Sequence, residues 1–137
     1  MAIRLTNAAA SAAANSTGLS GFTGDTPKLS FYKGAVNANA ELAPAGDLLA
    51  TVTIASFGAA SNGTITSAGG NATAADSGVA ASFVLFKADG TTKVLDGSVG
   101  ELDGESGTGE DIDFDDATFV AGGTVTISSF AVTIPPA

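Results

Sequence analysis

The residues best suited to chemistry lie in one acidic segment, Glu101–Asp116, which reads ELDGESGTGEDIDFDD. Four carboxylates near its end are the hard oxygen ligands that Ca²⁺ prefers: Asp111, Asp113, Asp115 and Asp116. The segment lacks the glycine and the distal glutamate of an EF-hand loop, and strand alternation puts three of the aspartates along one face, which makes a poor cage. The four residues are Ca²⁺ candidates, but a solvated face that prevents strand self-pairing is the favoured interpretation.

Other kinds of chemistry have less support in the sequence. The chain has no His and no Cys, so the usual general base and thiolate chemistry are missing. Paired carboxylates also suit acid/base catalysis, but few aromatic residues are present to line a cleft. Ser128 and Ser129 have no base nearby in the sequence to activate them. The sequence therefore predicts a non-enzymatic protein without a cofactor.

Length and charge set the class of partner. The chain has 137 residues, enough for one domain, and carries a net charge of −9. Because phosphate binding needs a basic surface, nucleic acid is not expected as a partner. No run of about 18 apolar residues is present, so no membrane partner is expected either. An acidic protein can still dock on a basic patch of another protein.

The chain centres on a predicted β-hairpin in residues 80–100. Two apolar runs flank Asp89-Gly90, a pair that favours the positive φ angles of a two-residue type I′ turn. That turn fixes a register in which Leu85 faces Val94, so that apolar side chains meet across the strands.

The first strand of the hairpin is apolar on both faces. Val84 and Phe86 point away from Phe83 and Leu85, so both faces need a cover. One cover is the core of the domain, and we expect a neighbouring subunit to supply the other. Val84 and Phe86 are therefore predicted interface residues.

Residues 1–17 form a predicted N-terminal arm. Thr6 can cap a short helix over the Ala-rich run Asn7–Ala14. Such a helix presents only methyl groups and is marginal unless it packs against something. Two interpretations stay open: a frayed arm, or an arm that docks on a neighbouring subunit through Ile3 and Leu5.

Residues 18–137 are predicted to form a single all-β domain. About seven or eight short strand patterns are separated by turns, as in a small β-sandwich or jelly roll. The last pattern, Thr124–Ile134, changes phase at Ser128-Ser129, where a β-bulge would keep both halves facing inward. Residues Gly69–Gly78 are predicted to be a loop.

Five blocks of sequence carry a resemblance to a known family. They are MAIRLTNAAASAAA, LLATVTIASFGAA, FVLFKADGTTKVLDGSVG, IDFDDATFVAGGTVTIS and the Pro-rich end. In this order they resemble small virion proteins of tailed phages, and head decoration (cement) proteins are the most similar in role. The chain departs from that pattern after Ala14, where Asn15–Gly24 is rich in glycine, so a shorter or absent helix is expected.

The resemblance implies a structural role on the outer surface of a phage capsid. It implies the major capsid protein as partner, self-association as a homotrimer, and no catalytic motif. Two alternatives remain: a structural subunit of a phage tail, and a Ca²⁺-dependent extracellular binding module built on the acidic segment.

Overall fold

Alternating apolar residues build one antiparallel sheet that organises the fold. The computed structural model describes residues 4–14, 22–35, 41, 44, 46–59, 64–103, 106–107, 112–114 and 118–133. The main sheet has the strand order β1 (Arg4–Leu5), β8 (Lys93–Asp103), β7 (Ser82–Phe86), β2 (Lys28–Tyr32) and β3 (Leu48–Thr53). Two short strands extend it beside β8: β9 (Ser106–Gly107), which is antiparallel, and β10 (Ile112–Phe114), which is parallel.

Six further strands form three antiparallel pairs. They are β4 (Thr64–Ser67) with β13 (Phe130–Thr133), β5 (Gly70–Thr73) with β12 (Thr124–Ile127), and β6 (Gly78–Val79) with β11 (Thr118–Phe119). A short helix, α1 (Asn7–Ala14), follows β1. The all-β prediction with a short Ala-rich N-terminal helix is confirmed, whereas the sandwich or jelly-roll arrangement stays a prediction.

One row of apolar side chains crosses the whole main sheet on its core face. Its members are strand partners in register, and each belongs to the core or packs against it: Leu5, Leu95, Leu85, Leu29 and Val52. Phenylalanines join the strand pairs to this face. Phe83 meets Phe130 edge to face at 5.8 Å between ring centroids, and Phe31 meets Phe119 at 5.6 Å. These contacts combine burial with favourable ring geometry.

The hairpin forms where it was predicted, but its register differs. Leu85 pairs with Leu95 rather than with Val94, and the register shifts between Leu85 and Phe86. The connection is wider than two residues, because the Lys87 amide donates to the Thr92 carbonyl at 2.9 Å. Val94 is the extra residue at this shift, and both Val94 and Leu95 are fully buried.

The wider turn is held by one carboxylate. Asp89 accepts hydrogen bonds from the amides of Thr91 and Thr92, each at 2.8 Å, and from the Thr92 hydroxyl. This carboxylate supplies acceptors that a two-residue turn would not need. Gly90 has the positive φ of 73° that the Asp-Gly pair indicated.

The N-terminal segment folds onto the main sheet of its own chain. β1 pairs with β8, and the Thr6 amide donates to the Val94 carbonyl at 2.9 Å. Thr6 caps α1 as predicted, because its hydroxyl accepts from the Ala9 amide at 3.2 Å. Ala9 is fully buried, which gives a helix of methyl groups the packing that it needs.

Two predictions of secondary structure are corrected. The phase change at Ser128-Ser129 separates two strands rather than bulging one, since β12 pairs with β5 and β13 with β4. The expected loop Gly69–Gly78 contains strand β5 and the first residue of β6. β5 lacks large apolar residues because it packs by backbone approach: a Cβ on Gly70 would lie 2.3 Å from the Thr53 carbonyl oxygen.

We expect Gly70→Ala to lower the free energy of unfolding by about 3 kcal/mol, because a methyl group cannot fit against the backbone of β3 without moving it. Denaturant unfolding measures the change. Gly58→Ala is the matched control, since the nearest atom to its Cβ would be the Thr66 carbonyl oxygen at 3.9 Å. Its effect should stay within about 1 kcal/mol, and equal losses in the two variants would contradict this account of β5.

Hydrogen bonds from the Thr92 hydroxyl and from the amides of Thr92 and Thr91 lower the pKa of Asp89 from 3.8 to about 2. Asp89 therefore stabilises the fold above its unfolded pKa, and this contribution is lost as pH falls through about 2. An NMR titration of the side-chain carboxyl carbon should show this low midpoint, and Thr92→Val should raise it. A wild-type midpoint near 3.8 would contradict the turn geometry.

Candidate functional site

A buried ion cluster lies on the face of the main sheet opposite the core. Arg4 and Asp96 are strand partners in β1 and β8. The Arg4 guanidinium donates through Nε to Oδ1 of Asp96 at 2.9 Å and through Nη2 to Oδ2 at 2.8 Å. Lys93 Nζ donates to the same Oδ2 at 3.2 Å. The Asp96 side chain is only 4% exposed, so two cations compensate a carboxylate that water hardly reaches.

This cluster attaches the N-terminal segment to the sheet. β1 contributes only two register pairs to β8, so the bidentate Arg4–Asp96 contact supplies much of its directionality. A buried carboxylate that loses its partners is costly, because the charge stays desolvated. The cluster therefore positions β1 and α1 against the central hairpin, to which Asp96 and Lys93 belong.

The predicted interface residues of the hairpin are already buried in the single chain. Val84 and Phe86 are 3% and 9% exposed, and they lie outside the main core cluster, on the face that carries Asp96. We expected a neighbouring subunit to cover this face, but the chain covers both residues itself. Their role at an interface stays a prediction, and a charged substitution of Phe86 would disturb folding before it tested any contact.

The structure describes one of the two predicted anchors of the arm. Leu5 is partly buried and packs against the core of its own chain, where it is the strand partner of Leu95. Ile3 lies outside the described residues. The arm is thus docked in its own chain from Arg4 to Ala14, and its docking on a neighbour stays a prediction.

The Ca²⁺ candidates are mostly beyond what the structure describes. The backbone of Asp113 lies in β10, where it pairs with Gly100 of β8, whereas Asp111, Asp115 and Asp116 are outside the described residues. Within the described part of the chain, no group of three or more His, Cys, Asp or Glu side chains could hold a metal. The Ca²⁺ site stays a prediction.

A second ion pair lies at the exposed end of β2. Lys33 Nζ contacts Asp76 Oδ2 at 2.9 Å and Asp47 Oδ2 at 3.9 Å. The hydrogen bond to Asp76 raises the pKa of Lys33, and the same bond, with one from the Ser77 amide, lowers the pKa of Asp76. Because these groups are exposed, the pair contributes little to stability.

The sequence analysis missed an open apolar surface beside β11. Thr118 of β11 is the strand partner of Val79, and Val120 follows on the same exposed side. Val79 is 58% exposed and Val120 64%. We call Val79, Thr118 and Val120 the valine patch. Next to it, β11 and β12 border a cleft of about 270 Å³. The available signal in the sequence was a β-branched residue, Val120, two positions before the Gly122-Gly123 turn.

Comparisons of the chain with protein-family models, curated proteins and solved structures give no match. Among the described helices, none is long and apolar enough to cross a membrane.

We expect Asp96→Asn to lower the free energy of unfolding by about 3 kcal/mol, because Arg4 and Lys93 would lose their shared carboxylate in a poorly hydrated place. Amide hydrogen exchange should also quicken at Thr6, whose bond to β8 depends on the docked segment. Asp76→Asn removes an exposed ion pair and is the control, with an expected loss below about 1 kcal/mol. Similar losses in the two variants would show that the cluster does not hold the segment.

Proposed function

We propose that this protein is a structural virion protein that decorates a phage capsid and stabilises it by bridging neighbouring capsid proteins. The observation that carries the proposal is the ordered set of five sequence blocks that resemble tailed-phage virion proteins. The first block folds as β1 and a capped α1 on the main sheet, and the third forms the β7–β8 hairpin that receives them. The most specific pieces of the resemblance thus contact each other in the fold.

The charges favour a protein as the partner. Each of the five cations has a contact within the chain: Arg4 and Lys93 with Asp96, Lys33 with Asp76, Lys28 with the Thr53 hydroxyl, and Lys87 over the Phe22 ring. Eight of the 14 acidic residues lie in Glu101–Asp116. This segment gives the molecule a strongly negative region, which complements a basic patch on another protein.

The proposed mechanism is surface complementarity without chemistry. A specific protein contact buries about 1,600 Å² in total, and a copy that spans a seam between two capsid proteins adds such area to both. The area resists the opening force of the packaged genome, and many identical copies multiply the effect. Our proposal includes a homotrimer on the outer capsid surface, no cofactor, and the major capsid protein as partner.

Cryo-electron microscopy of the virion tests the location. We expect regular density on the outer capsid lattice, of a size that fits a 13.2 kDa chain or its trimer. Purified virions should contain hundreds of copies. Density in the tail with only a few copies would instead support the tail-subunit alternative, and absence from the particle would reject both virion roles.

A thermal melt separates the remaining alternative. A Ca²⁺-dependent binding module would melt at a higher temperature in Ca²⁺ than in a chelator, since a ligand that binds only the folded state stabilises it. The decoration role requires no such difference.

A further inference from the structure

The N-terminal segment, residues 4–14, is a small unit that brings its own helix cap. Its strand and helix meet at Thr6, whose hydroxyl accepts from the Ala9 amide at 3.2 Å and whose carbonyl accepts from the Ala10 amide at 2.9 Å. Both bonds lie within the segment, so the helix keeps its cap wherever the segment docks. The burial of Ala9, however, requires a docking site.

Strand β8 supplies that site through hydrogen-bond acceptors. The Asp96 carboxylate accepts from the Arg4 guanidinium with both oxygens. The carbonyl of Val94 accepts from the Thr6 amide, and the carbonyl of Lys93 accepts from the Thr6 hydroxyl. If the segment leaves, Asp96 still has Lys93 Nζ at 3.2 Å, so the site keeps a paired carboxylate. The edge of β8 is therefore a site for an extended segment that presents an arginine and, two residues later, a threonine.

The segment lies in the one long stretch of the chain that has a positive net charge. Arg4 is the sole charged side chain in residues 1–24. Residues 25–137 contain all 14 acidic residues and only four lysines, which gives them a net charge of −10. Two copies of this acidic body repel each other, whereas the segment of one copy is attracted to the body of another.

From these contacts and charges we infer that the N-terminal segment is exchanged between copies, so that β1 and α1 of one copy dock on β8 of the next. The contacts are those that the single chain shows, made between two chains instead of within one. Such a contact joins two different surfaces, and it closes into a ring when the rotation between copies permits. In this respect the exchange rests on the self-association in the proposed function, for which it supplies the contact.

The chain that follows the segment also lies at the β7–β8 hairpin. Phe22 packs against the core, and its ring centroid is 4.4 Å from Lys87 Nζ. Lys87 directly follows β7, at the turn end of the hairpin. Two copies that meet at this hairpin can therefore exchange their segments over a short distance.

Docking within one chain competes with exchange, and protein concentration sets the balance. A tethered segment has an effective concentration in the millimolar range, so exchange gains as the protein approaches it. Small-angle X-ray scattering should show an oligomer after refolding at about 1 mM and a monomer after refolding at about 0.01 mM. A monomer under both conditions would overturn the inference. No capsid is needed for this measurement, so exchange and the location on the virion can fail separately.

Cysteine pairs identify the contact, because the chain has no cysteine of its own. Leu5 and Leu95 are strand partners, and directly opposite Cβ atoms lie close enough for a disulfide. When Leu5→Cys and Leu95→Cys variants are refolded together at about 1 mM, oxidation should link one copy of each. Leu5→Cys refolded with Ala88→Cys is the control, since Ala88 is exposed and open to random collisions. Equal yields of mixed dimer in the two experiments would overturn the inference.

A measurement on the wild-type protein covers the case in which Leu95→Cys does not fold, since Leu95 is fully buried. Copies labelled with carbon-13 are refolded with unlabelled copies at about 1 mM, and an isotope-filtered NOE spectrum records only contacts between the two kinds. We expect cross-peaks between the methyl groups of Leu5 and Leu95. Their absence from a sample that scattering shows to be oligomeric would overturn the inference.

Discussion

The main sheet depends on one apolar row that crosses five neighbouring strands, from β1 at one edge to β3 at the other. Leucines from β1, β8, β7 and β2 are successive strand partners in this row, and Val52 of β3 completes it. The chain is rich in small residues, so this row and the phenylalanines that pack near it supply much of the large buried apolar surface. The register of the sheet follows from this constraint, because a shift by one residue would turn a strand's apolar set to the wrong face.

The opposite face follows a different rule. Its central row runs from Arg4 through Asp96 and Val84 to Ser30, so three of these four residues are polar and Val84 is the apolar one. The ion cluster at one end holds β1, while Ser30 and Thr51 share a hydroxyl contact of 3.1 Å at the other end. This face buries its residues and also makes specific polar contacts. These contacts fix which segment occupies the edge of the sheet.

Much of the fold could be predicted from local patterns. The cap at Thr6 and the helix Asn7–Ala14 are short-range signals, and the structure has both of them. The hairpin register could not be predicted from its turn residues, because Phe86 and Lys93 keep the predicted pairing and the register shifts only beyond them, between Leu85 and Phe86. β5 escaped prediction because its glycine serves close backbone approach, a property that hydrophobic periodicity does not record.

The candidate surfaces were predicted less well, for a related reason. Val84 and Phe86 form an apolar second face of their strand in the sequence, yet the structure buries both residues within the single chain. Val120, by contrast, looks like a core residue in the sequence and is exposed because its neighbour Phe119 takes the inward position. Hydrophobicity shows that a residue favours apolar contact, but the topology decides whether the residue is buried in the fold or exposed on the surface.

The ion cluster also determines when the N-terminal segment can dock on the sheet during synthesis of the chain. Arg4 is synthesised before its partner Asp96, which is 92 positions later in the chain. When the N-terminal segment leaves the ribosome, the strand that will hold it does not yet exist, so β1 cannot dock until the β7–β8 hairpin has emerged. Formation of the edge of the sheet is therefore a late step, and closure of this long loop makes the protein slow to reach its native state compared with a fold of local contacts.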